Sequence, residues 1–193
     1  MVALGLIVGD GPTPFDDFAL TVMQWILGPD PHWMLWFSWG LAMMVTLAVA
    51  VLIALFRRRW RLALVVALCP PVSLILTRVL KPLFGRYKGD ALAYPSGHTT
   101  VVITVMSMLV LAAGYRVWLM VAAGVVMVIG GLSMAATDLH YLTDNIGSMF
   151  LTSATVCLAI LAAGPQAVAP AAARPAARPE NTQPPRNVPS NDR

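Results

Sequence analysis

The chain has 193 residues, of which 58% are hydrophobic and only 11% charged, with a mean hydropathy of +0.73. So little charge cannot cover the surface of a water-soluble domain, so the composition predicts an integral membrane protein of one domain. The net charge of +4 is distributed in a way that argues against nucleic-acid binding, and the two cysteines, Cys69 and Cys157, fall inside apolar runs as packing residues.

The chain begins "MVALGLIV", which is apolar but too short for a signal peptide and lacks a basic leading region. The stretch "TPFDDFALTVMQWILG" then carries helix signals at both ends. Thr13 can cap it, Pro14 suits its first turn, Asp16 and Asp17 suit its positive end, and Gly28 can stop it. Phe15, Phe18, Ala19, Val22, Trp25 and Ile26 recur at helical spacing. This segment is expected to lie in the membrane interface as an amphipathic helix, within an N-terminal segment covering 1–32.

A helix needs about 20 apolar residues to cross the hydrocarbon core. Stretches at roughly 33–56, 98–114, 116–137 and 144–164 meet that need. A fifth, 62–80, holds Pro70 and Pro71 near its middle and reads as a kinked span. The expected fold is therefore all-α: a membrane helical bundle over 33–164 with about five spans. The tail, 165–193, is rich in Pro, Ala and Arg without apolar periodicity and is expected to be disordered.

Charge sets the expected orientation. "RRRWR" at 57–61 joins the first two spans and should face the cytoplasm. Alternation then puts Arg57, Arg58, Arg59, Arg61, Arg116, Arg174, Arg178, Arg186 and Arg193 inside, with only Glu180 and Asp192 as acids. The expected location is a multi-pass plasma-membrane protein with a cytoplasmic tail. Outside fall Asp10, Asp16, Asp17, Asp30, Asp90, Asp138 and Asp144, with four basic residues that break the rule: Arg78, Lys81, Arg86 and Lys88.

Those four share the outer face with "YPSGH" (94–98) and "SMAATDLHYLTD" (133–144). The basic side chains can form a pocket for a phosphate. Ser96, Gly97 and His98 precede a long helix whose free N–H groups suit an anion. His140 and Asp144 are four apart and share a helix face, so the carboxylate can hold the imidazole in one tautomer. A histidine held in this way can act as a nucleophile. Each feature alone has a plainer reading as headgroup binding, a helix cap or a local hydrogen bond. Their joint appearance on one face favours a phosphate site.

The order Lys81, then Pro95-Ser96-Gly97-His98, then Ser133, His140 and Asp144 resembles the type-2 phosphatidic acid phosphatase family, which is related to bacterial acid phosphatases and vanadium haloperoxidases. The family pattern is K-x6-R-P, P-S-G-H and S-R-x5-H-x3-D. The resemblance spans roughly 33–164. It implies that His140 attacks phosphorus, that Asp144 orients it, and that His98 protonates the leaving oxygen. It also implies that Lys81, Ser96 and the Gly97 amide hold the phosphoryl oxygens, and that no metal or other cofactor is needed. Two arginines of the pattern are absent: Lys88 and Gly89 stand in place of Arg-Pro, and Met134 in place of the second Arg. Arg78, one helical turn before Lys81, or Arg86 can supply a guanidinium instead.

The implied activity is metal-independent hydrolysis of a lipid phosphate at the extracytoplasmic face, with a polyprenyl diphosphate or polyprenyl-linked phosphate favoured. A catalytically impaired lipid-phosphate binder, a partner subunit of a cell-envelope complex and a phosphotransferase are the alternatives. A homo-oligomer is left open.

Overall fold

The computed structural model describes residues 1–29 and 31–164, so the expected disorder of 165–193 lies outside the described residues. Among the described residues seven α-helices follow in order: α1 (Val2–Val8), α2 (Pro14–Leu27), α3 (Gly40–Phe56), α4 (Trp60–Phe84), α5 (Gly97–Ala113), α6 (Val117–Ala136) and α7 (Leu142–Ala163). A 3-10 helix, His32–Ser38, leads into α3, and a small antiparallel hairpin pairs β1 (Tyr87–Lys88) with β2 (Ala91–Leu92).

Among the described residues four segments are long and apolar enough to cross a membrane: His32–Phe56, Trp60–Phe84, Val117–Ala136 and Leu142–Ala163. The 62–80 stretch is among these four, within Trp60–Phe84, whereas the stretch expected at 98–114 forms α5, which has 17 residues and falls short of that length. Its burial explains this. α5 packs against α3, α4, α6 and α7 and lies at the centre of the bundle. Neighbouring helices, rather than lipid, set the length that such a helix needs. The outer helices instead present Leu41, Met44, Val45, Leu64, Val72, Val79, Val121, Val128 and Leu158 on exposed surfaces. An apolar belt of this extent fits contact with hydrocarbon.

Small side chains let the helices approach closely. Ala50, Ala54, Ala63, Ala112, Ala159 and Ala163 meet Leu62, Val66, Met108 and Leu111 in one buried cluster. A second cluster joins Met43, Val102, Val105, Met106, Val110 and Ala123. Hydroxyls tie the helices where the core is polar: Ser73 donates to Thr155 (3.0 Å), and the Thr77 and Thr100 hydroxyls lie 3.2 Å apart. Pro70 and Pro71 sit inside α4, which remains helical through both. Cys69 is buried and Cys157 exposed, and both are free.

The N-terminal helices are part of the bundle. α2 begins at Thr13, whose hydroxyl accepts from the Asp16 amide (3.2 Å) while the Asp16 carboxylate accepts from the Thr13 amide (3.0 Å). This reciprocal cap follows the pattern expected of the sequence. Phe15, Phe18, Trp25 and Ile26 are exposed along α2, whereas Asp16 and Ala19 are buried. One face therefore suits the interface and the other docks on α6 and α7. α1 packs through Gly5 against the rings of Phe84 and Tyr94. The Tyr94 hydroxyl donates to the Met1 carbonyl (2.7 Å), and Gly147 of α7 lies against the same ring. No side chain larger than hydrogen fits at Gly147 without moving that ring.

Arg57 donates to the Ala112 carbonyl at the C-terminal end of α5 (2.9 Å). That contact places the basic 57–61 segment at the end of the bundle opposite His98, which opens α5. A guanidinium on the last carbonyls of a helix also complements the helix dipole.

Candidate functional site

Four helix ends converge to build the site. The last turns of α4 carry Arg78 and Lys81, the first turn of α5 carries His98, the end of α6 carries Ser133 and Met134, and the start of α7 carries Thr143 and Asp144. The hairpin between α4 and α5 brings Lys88 across the top, and the turn after α6 presents His140. Ser96 caps α5 by accepting from the Thr99 amide at 3.4 Å, after a cis Tyr94–Pro95 bond.

The two histidines face each other with ring centroids 6.0 Å apart and planes at 60°. Both line a cavity of about 780 Å³. Arg78, Lys81, Lys88 and Gly97 line it too, as does Met134, and Leu35, Trp39, Leu74, Leu92 and Val101 make its apolar part. The cavity thus joins a basic, histidine-bearing end to an apolar flank. Lys81 donates to the Leu92 carbonyl of the hairpin, and Lys88 pairs with Asp138 at 2.6 Å with its ammonium 4.2 Å from the centre of the Tyr141 ring. A second cavity of about 340 Å³ lies on the other side of Lys88 and His140 and is bordered by Asp16, Asp17, Asp138 and Tyr141.

Behind His140 stands a buried charge cluster that contains Arg86. Its guanidinium is fully buried, with one nitrogen donating to Asp144 Oδ1 (2.9 Å) and Thr143 Oγ1 (2.6 Å). The other donates to Asp16 Oδ2 (2.8 Å) and the Gly11 carbonyl (2.9 Å). Asp16 Oδ1 accepts from the Thr143 amide (2.9 Å). Burial alone would raise the Asp16 carboxyl, but the Thr143 and Thr13 amides, the Thr13 hydroxyl and Arg86 together hold it below its ordinary value of 3.8. A carboxyl depressed in the folded state stabilises the fold above its ordinary value, and this contribution is lost as pH falls through the lower folded value. Asp16 is therefore ionised at neutral pH.

Asp144 Oδ2 accepts from the Tyr141 amide (3.0 Å) and lies 3.6 Å from His140 Nδ1. That nitrogen is buried and has no hydrogen-bond partner. It faces the carboxylate across a gap that a small ring movement would close. Burial, followed by the Asp144 charge, pushes the Tyr94 phenol up to about 12. Burial likewise raises Tyr141. Both phenols therefore stay protonated near neutral pH.

Of the residues singled out from the sequence, Arg78, Lys81, Lys88, Gly97, His98 and His140 come together around the larger cavity. Arg86 does not face it, because both guanidinium arms are held by carboxylates. Ser96 and Ser133 are fully buried: the Ser96 hydroxyl bonds Thr99, and the Ser133 hydroxyl donates to the Gly130 carbonyl (2.8 Å). From the sequence alone Asp16 has a place at a helix start and among the acids of the outer face, and no partner. The structure makes it an ion-pair partner of Arg86, 70 positions away. Its one sequence signal was the Thr13-x-x-Asp16 spacing, which reports the cap and not the partner. Among the described residues no group of His, Cys, Asp and Glu is arranged to hold a metal ion. Comparison with protein-family models, with curated proteins and with solved structures found no match.

Proposed function

We propose that the protein is a lipid-phosphate phosphatase that acts through a phosphohistidine on His140. The observation that carries this reading is the pairing of His98 and His140 across one cavity that also holds Arg78, Lys81 and Lys88. A nucleophile, a proton donor and three cations around one space are what phosphoryl transfer without a metal requires. The spacing of Lys81, the 95–98 motif and Ser133, His140 and Asp144, with its resemblance to the type-2 phosphatidic acid phosphatase family, supports the same reading.

In the proposed reaction Asp144 holds the Nδ1–H of His140, leaving Nε2 free. Nε2 attacks phosphorus, the bond to the leaving oxygen breaks, and His98 supplies that oxygen with a proton. His98, now neutral, takes a proton from water, which attacks the phosphohistidine and returns His140. Arg78, Lys81 and Lys88 balance the charge that builds on the phosphoryl oxygens. Lys81 and Lys88 reach it by exchanging their present partners, the Leu92 carbonyl and Asp138, for phosphate. Arg78 supplies the guanidinium where Met134 stands in the third motif, since both line the cavity. The apolar flank of the cavity suits a hydrocarbon chain, so a polyprenyl diphosphate or polyprenyl-linked phosphate is the favoured substrate. The site would then lie at the extracytoplasmic face, opposite the basic 57–61 segment.

The test is phosphate release from a polyprenyl diphosphate by purified protein with excess EDTA. Release undiminished by the chelator is expected. No release from this lipid, from phosphatidate or from phosphatidylglycerol phosphate would overturn the enzyme reading.

A further inference from the structure

We propose that Asp16 is a positioning residue for His140, acting through Arg86 and Asp144; this rests on the reading of His140 as nucleophile. The geometry forms a relay. Asp16 takes one arm of the Arg86 guanidinium at 2.8 Å, and Asp144 takes the other at 2.9 Å. The Thr143 hydroxyl joins them, accepting from Arg86 (2.6 Å) and donating to Asp16 (2.9 Å). The second oxygen of Asp144 lies 3.6 Å from His140 Nδ1. Asp16 is 4% exposed, and Arg86 and Asp144 are 0% exposed, so little solvent screens the three charges from one another.

The charge count gives the relay its purpose. One arginine against two carboxylates leaves a net charge of −1, and it lies beside the imidazole. An Arg86–Asp144 pair alone would be neutral and would offer His140 little. Asp16 satisfies Arg86 from the far side and so leaves Asp144 its charge toward the ring. When His140 attacks an electrophile, positive charge builds on the imidazole and the surplus anion stabilises it. Asp16 belongs to α2, so the N-terminal helix completes a site whose other parts come from the bundle. Asp17, its neighbour, makes no contact with Arg86 among the bonds of this cluster and serves as the control.

The reactivity of His140 toward diethyl pyrocarbonate tests this without a lipid substrate. The imidazole attacks the reagent's carbonyl, one C–O bond breaks, and ethyl carbonate leaves. Peptide mass mapping of full-length protein at neutral pH gives the His140 rate, with His98 as internal reference. Asp16→Asn keeps an oxygen for the Thr13 cap and for Arg86 while removing the charge. It is expected to slow His140 relative to His98 by about 5- to 10-fold, the size expected when one buried charge near a reacting group is lost. Asp16→Glu should restore most of the rate, and Asp17→Asn should leave the ratio as in the wild type. An unchanged ratio in Asp16→Asn would overturn the proposal, as would a parallel change at both histidines, which marks general loosening. Loss of the phosphatase reading would appear separately, as absent phosphate release with the reactivity pattern intact.

Discussion

Arg86→Leu is expected to destabilise the protein by about 3–5 kcal/mol, because it leaves buried carboxylates without their cation. Asp16 and Asp144 are both buried and both bonded to that one guanidinium. The Gly11 carbonyl and Thr143 hydroxyl lose a donor as well. Lysine at this position does not repair the loss, since a single ammonium cannot span two carboxylates as the planar fork does. The midpoint of unfolding in graded SDS measures the effect. Adding Asp16→Asn to Arg86→Leu should recover part of it, since one buried anion is then removed with its partner. A midpoint unmoved by Arg86→Leu would show that the clamp contributes nothing to the fold.

His140→Ala should abolish phosphate release while the lipid still binds. In the proposed reaction His140 is the nucleophile, so without it no covalent intermediate should form and the remaining groups should only bind the phosphate. Losses of roughly 10³-fold or more are typical when a nucleophile is deleted, larger than the loss of one stabilising donor. The cations Arg78, Lys81 and Lys88 remain in the cavity, so the lipid affinity should change by less than about 10-fold. His140→Ala that still turns over would point to water attacking directly, with the histidines in binding roles.

Much of the fold is legible in the sequence because local rules govern it. Thr13, Pro14 and Gly28 bound α2 as Pro14–Leu27, where the cap signals put it. Apolar length marks five stretches, of which four are long enough to cross a membrane and one, 98–114, is not. Periodicity could not show that α5 is wrapped on its sides by other helices, which is a property of the whole bundle. The meeting of His98 with His140 was readable because each lies at a helix end, and the succession of α5, α6 and α7 brings those ends together. Arg86 shows the limit. Beside Lys81 and Lys88 in a basic loop it reads as a phosphate ligand, yet its partners Asp16 and Asp144 lie 70 and 58 positions away. Pairing at such separation depends on how α2 and α7 dock, and no spacing rule within one helix reports it. Ser96 and Ser133 show the same limit at short range, where a hydroxyl can serve a cap or a backbone carbonyl as well as a ligand.

A covalent phosphohistidine on His140 is the step on which the proposed reaction turns, and trapping it tests that step. Protein mixed with radiolabelled lipid phosphate in EDTA and quenched in alkali should carry label that is stable to base and lost in mild acid, mapping to the His140 peptide. His140→Ala should carry none. Label on another residue, or phosphate release by the wild type with no label at any quench time, would contradict the account.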